Sequence, residues 1–314
     1  MSEKAGTRLE KVLSAGHFAV TAEVGPPRGP NAGAVIEKAQ ILNGVADAFN
    51  VTDNQTAVVR MSSIAASKIL LDQQLEPVMQ MVCRDRNRIA IQSDLLGASA
   101  LGIRNVLCLS GDHQKASAGG KLKGHPGARN VYDIDSIQLI RVVRGLRDQA
   151  VQEGGDSITE PAPFFIGAAW TPLAPPVAFR TFRLAKKVAA GADFIQTQAV
   201  YDLKAFGQAM AKAVDMGLTD KTAILAGIIV PRSAGMLSYM NRSVPGVVVP
   251  EALIRRMKTA EDPAREGIRI TLELIAGVQE IAGVKGVHLQ AIETEHLLPE
   301  IIKSAGLLPR PLIV

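Results

Sequence analysis

Several short apolar runs in this sequence end in polar side chains suited to proton transfer or ligand binding. FAVTAEV at 18–24 carries Glu23 near its end and is followed by Gly-Pro-Pro-Arg, while DAFNVT at 47–52 ends in Thr52 and continues into Asp53-Asn54-Gln55. EPVMQMV at 76–82 contains Gln80 and leads into Cys83-Arg84-Asp85-Arg86-Asn87; RNVLCLS at 104–110 delivers Ser110, Gly111, Asp112 and His113. PFFIGAA at 163–169 reaches Ala169 and Trp170, and DFIQTQ at 193–198 brings Gln196 and Gln198, then Tyr201. A carboxyl such as Glu23 in an otherwise apolar strand can hold a raised pKa and act as a proton donor; the structural alternative is a salt bridge with Arg28. Asp112 follows a glycine that lets backbone approach a ligand closely, and its carboxylate could pair with a cationic or amide-bearing ring. It could equally cap a turn or helix. Trp170 is the single tryptophan, suited either to filling the core or to stacking on a planar cofactor. Lys186 and Lys187 read as the solvated edge of a helix unless a phosphate lies nearby.

The elements that must position these groups alternate along the whole chain. Two further β-rich runs, TAILAGIIV at 222–230 and GVHLQAI at 286–292, bring the total to eight, separated by segments of helical period. Apolar residues recur at three- and four-residue spacing in those segments, as at Val35, Ile36, Ala39 and Leu42, or Ile137, Leu139, Ile140, Val143 and Leu146. Gly44, Gly102, Gly191 and Gly217 follow such segments where a left-handed residue ends a helix. Eight strand–helix units predict an α/β fold, a single (β/α)8 TIM barrel over residues 1–314, with extra helical segments at 231–265. Such a barrel builds its site at the C-terminal strand ends, where the polar residues fall. A polar, glycine-rich and basic loop at 111–131 follows the fourth strand and is suited to covering that site.

Composition narrows the classes further. With 47% hydrophobic and 21% charged residues the chain can bury a large core. No segment reaches the roughly 18 uninterrupted apolar residues of a membrane span, and the N-terminus has no signal-peptide pattern, so a cytoplasmic protein with no membrane association is expected. The two cysteines, Cys83 and Cys108, are then expected to be reduced. A net charge of +5 is scattered and aromatics are only 4%, which argues against nucleic acid and for an anionic small molecule. The five histidines lack metal-ligand spacing, so no metal is expected. No G-x-G-x-x-G follows a strand and no Walker loop is present. An aldolase-like barrel would need a Schiff-base lysine at a strand end, and none is so placed.

Taken together, the motifs resemble those of the methylenetetrahydrofolate reductase family over nearly the whole catalytic barrel. A-E-V-G-P-P-R at 22–28 is similar to the family's E-F-x-P-P-R, V-T-D at 51–53 to its V-T segment, L-S-G-D at 109–112 to its L-R-G-D, and A-A-W-T-P at 168–172 to its A-A-Y-P. L-A-K-K-V-A-A-G-A-D-F-I-Q-T-Q at 184–198 resembles L-K-x-K-x-x-A-G-A-x-x-x-x-T-Q. The resemblance implies Glu23 and Asp112 as catalytic residues: Glu23 the general acid, Asp112 beside the flavin and the folate pterin. It implies cofactor contacts from Thr52, Gln80, Ser110, Gly111, Asp112, Tyr132, Asp135, Ala169, Trp170, Lys186 and Lys187, the two lysines on flavin phosphate. Glu23, Asp112, Gln198 and Tyr201 are the implied substrate contacts. Ser110 and Gln80 depart from a family arginine and histidine, and no aromatic substrate contact follows strand seven near Gly235. The implied cofactor is FAD, with FMN as the alternative, and NADH or NADPH as electron donor. The implied reaction is hydride transfer to 5,10-methylenetetrahydrofolate, or its reverse. The alternative is a barrel subunit, within a homo- or hetero-oligomer, that receives electrons from a partner protein and shows little NAD(P)H-dependent activity alone.

Overall fold

The computed structural model describes residues 3–115, 117–118, 122–291 and 294–313. Eight parallel strands close a barrel in sequence order: β1 (Ala19–Val24), β2 (Ala48–Val51), β3 (Pro77–Val82), β4 (Asn105–Leu109), β5 (Phe165–Trp170), β6 (Phe194–Ala199), β7 (Ala223–Ile229) and β8 (Val284–Gln290). The ring is completed by β8 pairing with β1, where Thr21 stands opposite His288. Most strand bounds lie within a residue or two of those read from the sequence; β8 starts two residues earlier, and Ile292 lies outside the described residues.

Eleven helices lie among the described residues: α1 (Arg8–Ser14), α2 (Gly33–Leu42), α3 (Ser63–Asp72), α4 (Arg88–Ala100), α5 (Ser136–Asp148), α6 (Arg180–Ala190), α7 (Leu203–Asp215), α8 (Ala234–Ser243), α9 (Glu251–Thr259), α10 (Pro263–Gln279) and α11 (Leu298–Ser304). The extra turns expected at 231–265 are α8 and α9. Gly44, Gly102, Gly191 and Gly217 adopt φ of 72°, 85°, 120° and 62°, the left-handed turn out of a helix. Asn87, Asp135, Asp202 and Asp262 cap α4, α5, α7 and α10 with side-chain oxygens, each satisfying amides that the first helical turn leaves unpaired.

Strand alternation divides the side chains between two cores. On β5, Ile166, Ala168 and Trp170 face the helix layer, whereas Phe165 points into the barrel. The inner floor gathers Ala19, Ala48, Val78, Leu107, Phe165, Phe194 and Leu225, plugged from below by Leu9 and Val12 of α1. The rings of Phe165 and Phe194 stack with centroids 5.2 Å apart, and Gly167 leaves room for Phe194, whose ring would lie 2.3 Å from an added Cβ.

Buried carboxylates lock the N-terminal ends of the strands. Asp47 accepts from the Val20 amide at 2.9 Å and pairs with Arg310, and Asp193 accepts from the Ile166 amide at 2.8 Å and pairs with Arg147. Glu76 receives the Leu9 amide at 3.0 Å and the Asn105 side chain at 2.9 Å. These groups sit at the end of a barrel that serves stability, leaving the opposite end for chemistry.

Candidate active site at the C-terminal mouth

A cavity of about 470 Å³ opens at the C-terminal ends of the strands, a size suited to a small-molecule ligand. Every strand of the ring except β2 and β7 sends at least one residue to it, Thr52 lines it just past the end of β2, and most of the strand residues there are polar. Another hollow, of about 550 Å³, lies at the barrel floor between α1 and the C-terminal tail.

Glu23 is the most perturbed carboxyl of the mouth. It stands on β1 with 8% of its surface exposed. Burial, reinforced by the nearby Glu295 carboxylate and opposed by Lys38 and Arg60, pushes its pKa up to about 7. Its hydrogen-bond partner is Gln290 of β8, whose Nε2 lies 3.3 Å from Oε2, and the alternative bridge to Arg28 does not form. Below it, Asn50 and Gln196 exchange two hydrogen bonds, of 2.6 and 2.9 Å, across the barrel. His288 is buried, and its pKa is pushed down to about 3 by desolvation, so its ring is neutral.

A cationic flank lies beside α5 and α6. Lys187 is buried, its Nζ donates to the Ala169 carbonyl at 2.5 Å, and burial with the neighbouring Arg183 lowers its pKa to about 8. Arg183 lies one turn earlier on α6, and both line the mouth with Ser110 and Ser136. The Ser136 amide donates to Ser110 Oγ at 3.3 Å. The flank offers one to two positive charges and two hydroxyls to an anionic group, the donor set for phosphate. Across the mouth, Thr52 is 2% exposed and its Oγ1 has no hydrogen-bond partner. A buried hydroxyl of this kind costs stability unless a ligand satisfies it. These features fit a flavin, whose phosphate Lys187 and Arg183 would hold.

The loop carrying Asp112 is held by its backbone. Arg84, almost fully buried, donates to the carbonyls of Asp112 and Asn54 at 3.1 Å each. Tyr132 donates its hydroxyl to the Gly111 carbonyl at 3.0 Å. Gly111 has φ of 85°, and a Cβ there would stand 3.0 Å from Val82, so glycine is required by both conformation and space. The Asp112 side chain is left exposed at the rim of the cavity. On β6 the register shifts between Gln196 and Ala199; this irregularity lets Gln196, Thr197 and Gln198 all reach the mouth.

The structure therefore gathers Glu23, Thr52, Gln80, Ser110, Gly111, Asp112, Ala169, Lys187 and Gln198 around one cavity. It does not bring the remaining candidates there. Trp170 faces the helix layer and donates its indole N–H to the Arg180 carbonyl at 3.1 Å. Tyr201 is buried and donates to the Ile229 carbonyl at 2.6 Å. Lys186 lines an outer depression with Phe179 and Phe182. Asp135 caps α5, and Tyr132 braces the Gly111 turn. Sequence reasoning missed Arg183, Ser136, His288 and Gln290. Arg183 was detectable four residues before Lys187 on one helix face. Among the described residues no group of His, Cys, Asp and Glu could hold a metal ion, and no helix is long and apolar enough to cross a membrane.

Comparison with known proteins places this geometry among relatives. The family model described as Methylenetetrahydrofolate reductase matches residues 8–306. A probable methylenetetrahydrofolate reductase (NADPH) of Caenorhabditis elegans is 24% identical over 81% of this chain and 36% of its own length. Methylenetetrahydrofolate reductase 2 of Schizosaccharomyces pombe is 28% identical over 79% of this chain and 38% of its own. The chain thus matches little more than a third of these relatives' length. An uncharacterized protein from Clostridium thermocellum that binds two copies of 5-methyl-5,6,7,8-tetrahydrofolic acid superposes with a TM-score of 0.63 at 14% identity, covering 94% of this chain and 98% of its own. An EDTA monooxygenase from Chelativorans sp. BNC1 gives 0.52 at 11%, covering 92% and 93%. Both structural likenesses show the barrel fold.

Proposed function

Because the chain belongs to the methylenetetrahydrofolate reductase family, we propose that it interconverts 5,10-methylenetetrahydrofolate and 5-methyltetrahydrofolate at the C-terminal mouth with a bound flavin. The observation that carries this reading is Glu23, a buried carboxyl of pKa about 7 at the wall of a cavity that also holds an unpartnered Thr52 hydroxyl and a cationic flank. FAD is the proposed flavin, with FMN as the alternative; Thr52 would meet its ring system, and Lys187 and Arg183 its phosphate. When bound, the flavin supplies the hydride.

The chain's own residues prepare the substrate. Reduction of the bridging methylene requires the five-membered ring to open, and opening requires a proton on N10. Glu23, whose burial keeps a large share of it protonated near pH 7, donates that proton as general acid. Ring opening leaves positive charge at N5, which the Asp112 carboxylate at the rim stabilises through the pterin. Gln198, brought into the mouth by the β6 irregularity, hydrogen-bonds the pterin edge. Val82, Leu107 and Leu109 give the cavity an apolar wall.

Glu23→Gln tests the assignment. The variant keeps the shape and loses the proton, so it is expected to retain flavin and folate binding while turnover with 5,10-methylenetetrahydrofolate falls by about 10²–10⁴-fold. Unchanged turnover removes Glu23 from the role of acid.

A further inference from the structure

Beneath Glu23 runs a chain of polar side chains, half-buried at Gln290 and buried beyond it, that joins β8, β1, β6 and β2. Gln290 Nε2 lies 3.3 Å from Glu23 Oε2 and 3.2 Å from His288 Nε2. His288 Nδ1 lies 3.0 Å from Thr21 Oγ1, which also accepts from Gln196 Nε2 at 3.2 Å and donates to the Val287 carbonyl at 3.4 Å. Thr21 is fully buried and His288 nearly so.

Donor and acceptor capacities give this chain a direction. An amide NH₂ has two protons to donate, and Gln290 places one on each of its two neighbours. His288 Nε2 must then be an acceptor, which leaves the proton on Nδ1, aimed at Thr21. Thr21 accepts from His288 and from Gln196 and uses its own proton on Val287, so every member is satisfied in this arrangement. The reversed amide would turn its carbonyl toward Glu23. That orientation suits a protonated Glu23 whose proton points away from the cavity, and it sets two oxygens against each other once the proton has left. Only the donor orientation serves Glu23 both before and after it gives up a proton.

We propose that Gln290, held by the Nδ1–H tautomer of His288, is a positioning residue: it pins Oε2 of Glu23 as hydrogen-bond acceptor, so that the acidic proton resides on Oε1 and faces the substrate. This rests on the reading of Glu23 as general acid. No proton travels along the chain. The proton leaving Oε1 goes to the substrate nitrogen, and the resulting carboxylate keeps its bond from Gln290, now charge-assisted and stronger. The other charged groups that act on Glu23 are Glu295, Lys38 and Arg60, and Lys38 is itself paired with Glu295 at 2.5 Å. His288 is neutral, so the influence of β8 on Glu23 is a hydrogen bond and not a charge.

Two measurements test the proposal. The ¹⁵N shifts of the imidazole in the unaltered protein report the tautomer: the Nδ1–H form is expected, and the Nε2–H form or a protonated ring at pH 7 overturns the proposal. Gln290→Met keeps the length and removes the donor. It is expected to lower kcat for 5,10-methylenetetrahydrofolate by about tenfold, the worth of one hydrogen bond of roughly 1.4 kcal/mol, and to leave the Kd for 5-methyltetrahydrofolate within about twofold of the original. Losing a donor to the carboxylate disfavours the charged form, so the alkaline limb of the kcat profile moves to higher pH. A purely structural role would leave that limb in place; an unchanged kcat and limb overturn the proposal. Glu23→Gln, measured alongside, separates the two claims. If it abolishes turnover while Gln290→Met does nothing, the positioning role fails alone; if Glu23→Gln is itself active, the general-acid reading fails with it.

Discussion

At the scale of single residues, the raised pKa of Glu23 ties activity and stability to the same proton. Its ordinary value of 4.5 rises to about 7 on folding, so between those two values the folded chain holds a proton that the unfolded chain has released. Stability from this group is complete below about pH 4.5, falls as pH rises, and is lost once pH passes about 7, by on the order of 3 kcal/mol. Glu23→Gln cannot titrate, so its urea-unfolding free energy is expected to gain on the original by about that amount between pH 4.5 and pH 8. An identical pH dependence in the two proteins would show that the carboxyl is not perturbed. Glu23 was legible in the sequence because one acid in an apolar run is conspicuous. Gln290 and His288 were not: they become its neighbours only when the last strand closes on the first, a pairing separated by 267 residues. Trp170 and Tyr201 had the right chemistry and the wrong face. Side chains alternate along a strand, so Ala169 at the mouth puts Trp170 into the helix layer.

At the scale of elements, a buried ion pair joins the loops after β2 and β3, and Arg84 ties the loop after β4 to them through backbone carbonyls. Asp53 accepts the Val82 amide at 3.0 Å and pairs with Arg86 at 2.7 Å, and Arg86 also reaches Asp94 at 2.8 Å. Asp53→Ala would leave Arg86 short of a buried partner and the Val82 amide unsatisfied, a loss expected at about 3–5 kcal/mol of unfolding free energy in a denaturant titration. A loss under about 1 kcal/mol would mean that the pair is solvent-screened in solution. The sequence showed these charged residues, Cys83-Arg84-Asp85-Arg86-Asn87, as a cluster following a strand. It did not show that Arg84 turns back to bind two carbonyls of neighbouring loops, because those carbonyls sit at turns with positive φ, at Asn54 and at Gly111 next to Asp112. Strand and helix positions were legible because apolar periodicity is local. The irregularity in β6 that admits Gln198 was not, since it reflects register with β7.

At the scale of the whole molecule, eight parallel strands divide the labour between two ends. Carboxylates lock the floor, and the mouth collects an acid, an unpartnered hydroxyl and a cationic flank. The most direct measurement is an anaerobic visible spectrum of the purified chain loaded with FAD, first reduced and then mixed with 5,10-methylenetetrahydrofolate. The account predicts a yellow protein that bleaches on reduction and regains its flavin absorbance as 5-methyltetrahydrofolate appears. A chain that takes up neither FAD nor FMN, or a reduced flavin that stays bleached in the presence of the folate, would contradict it.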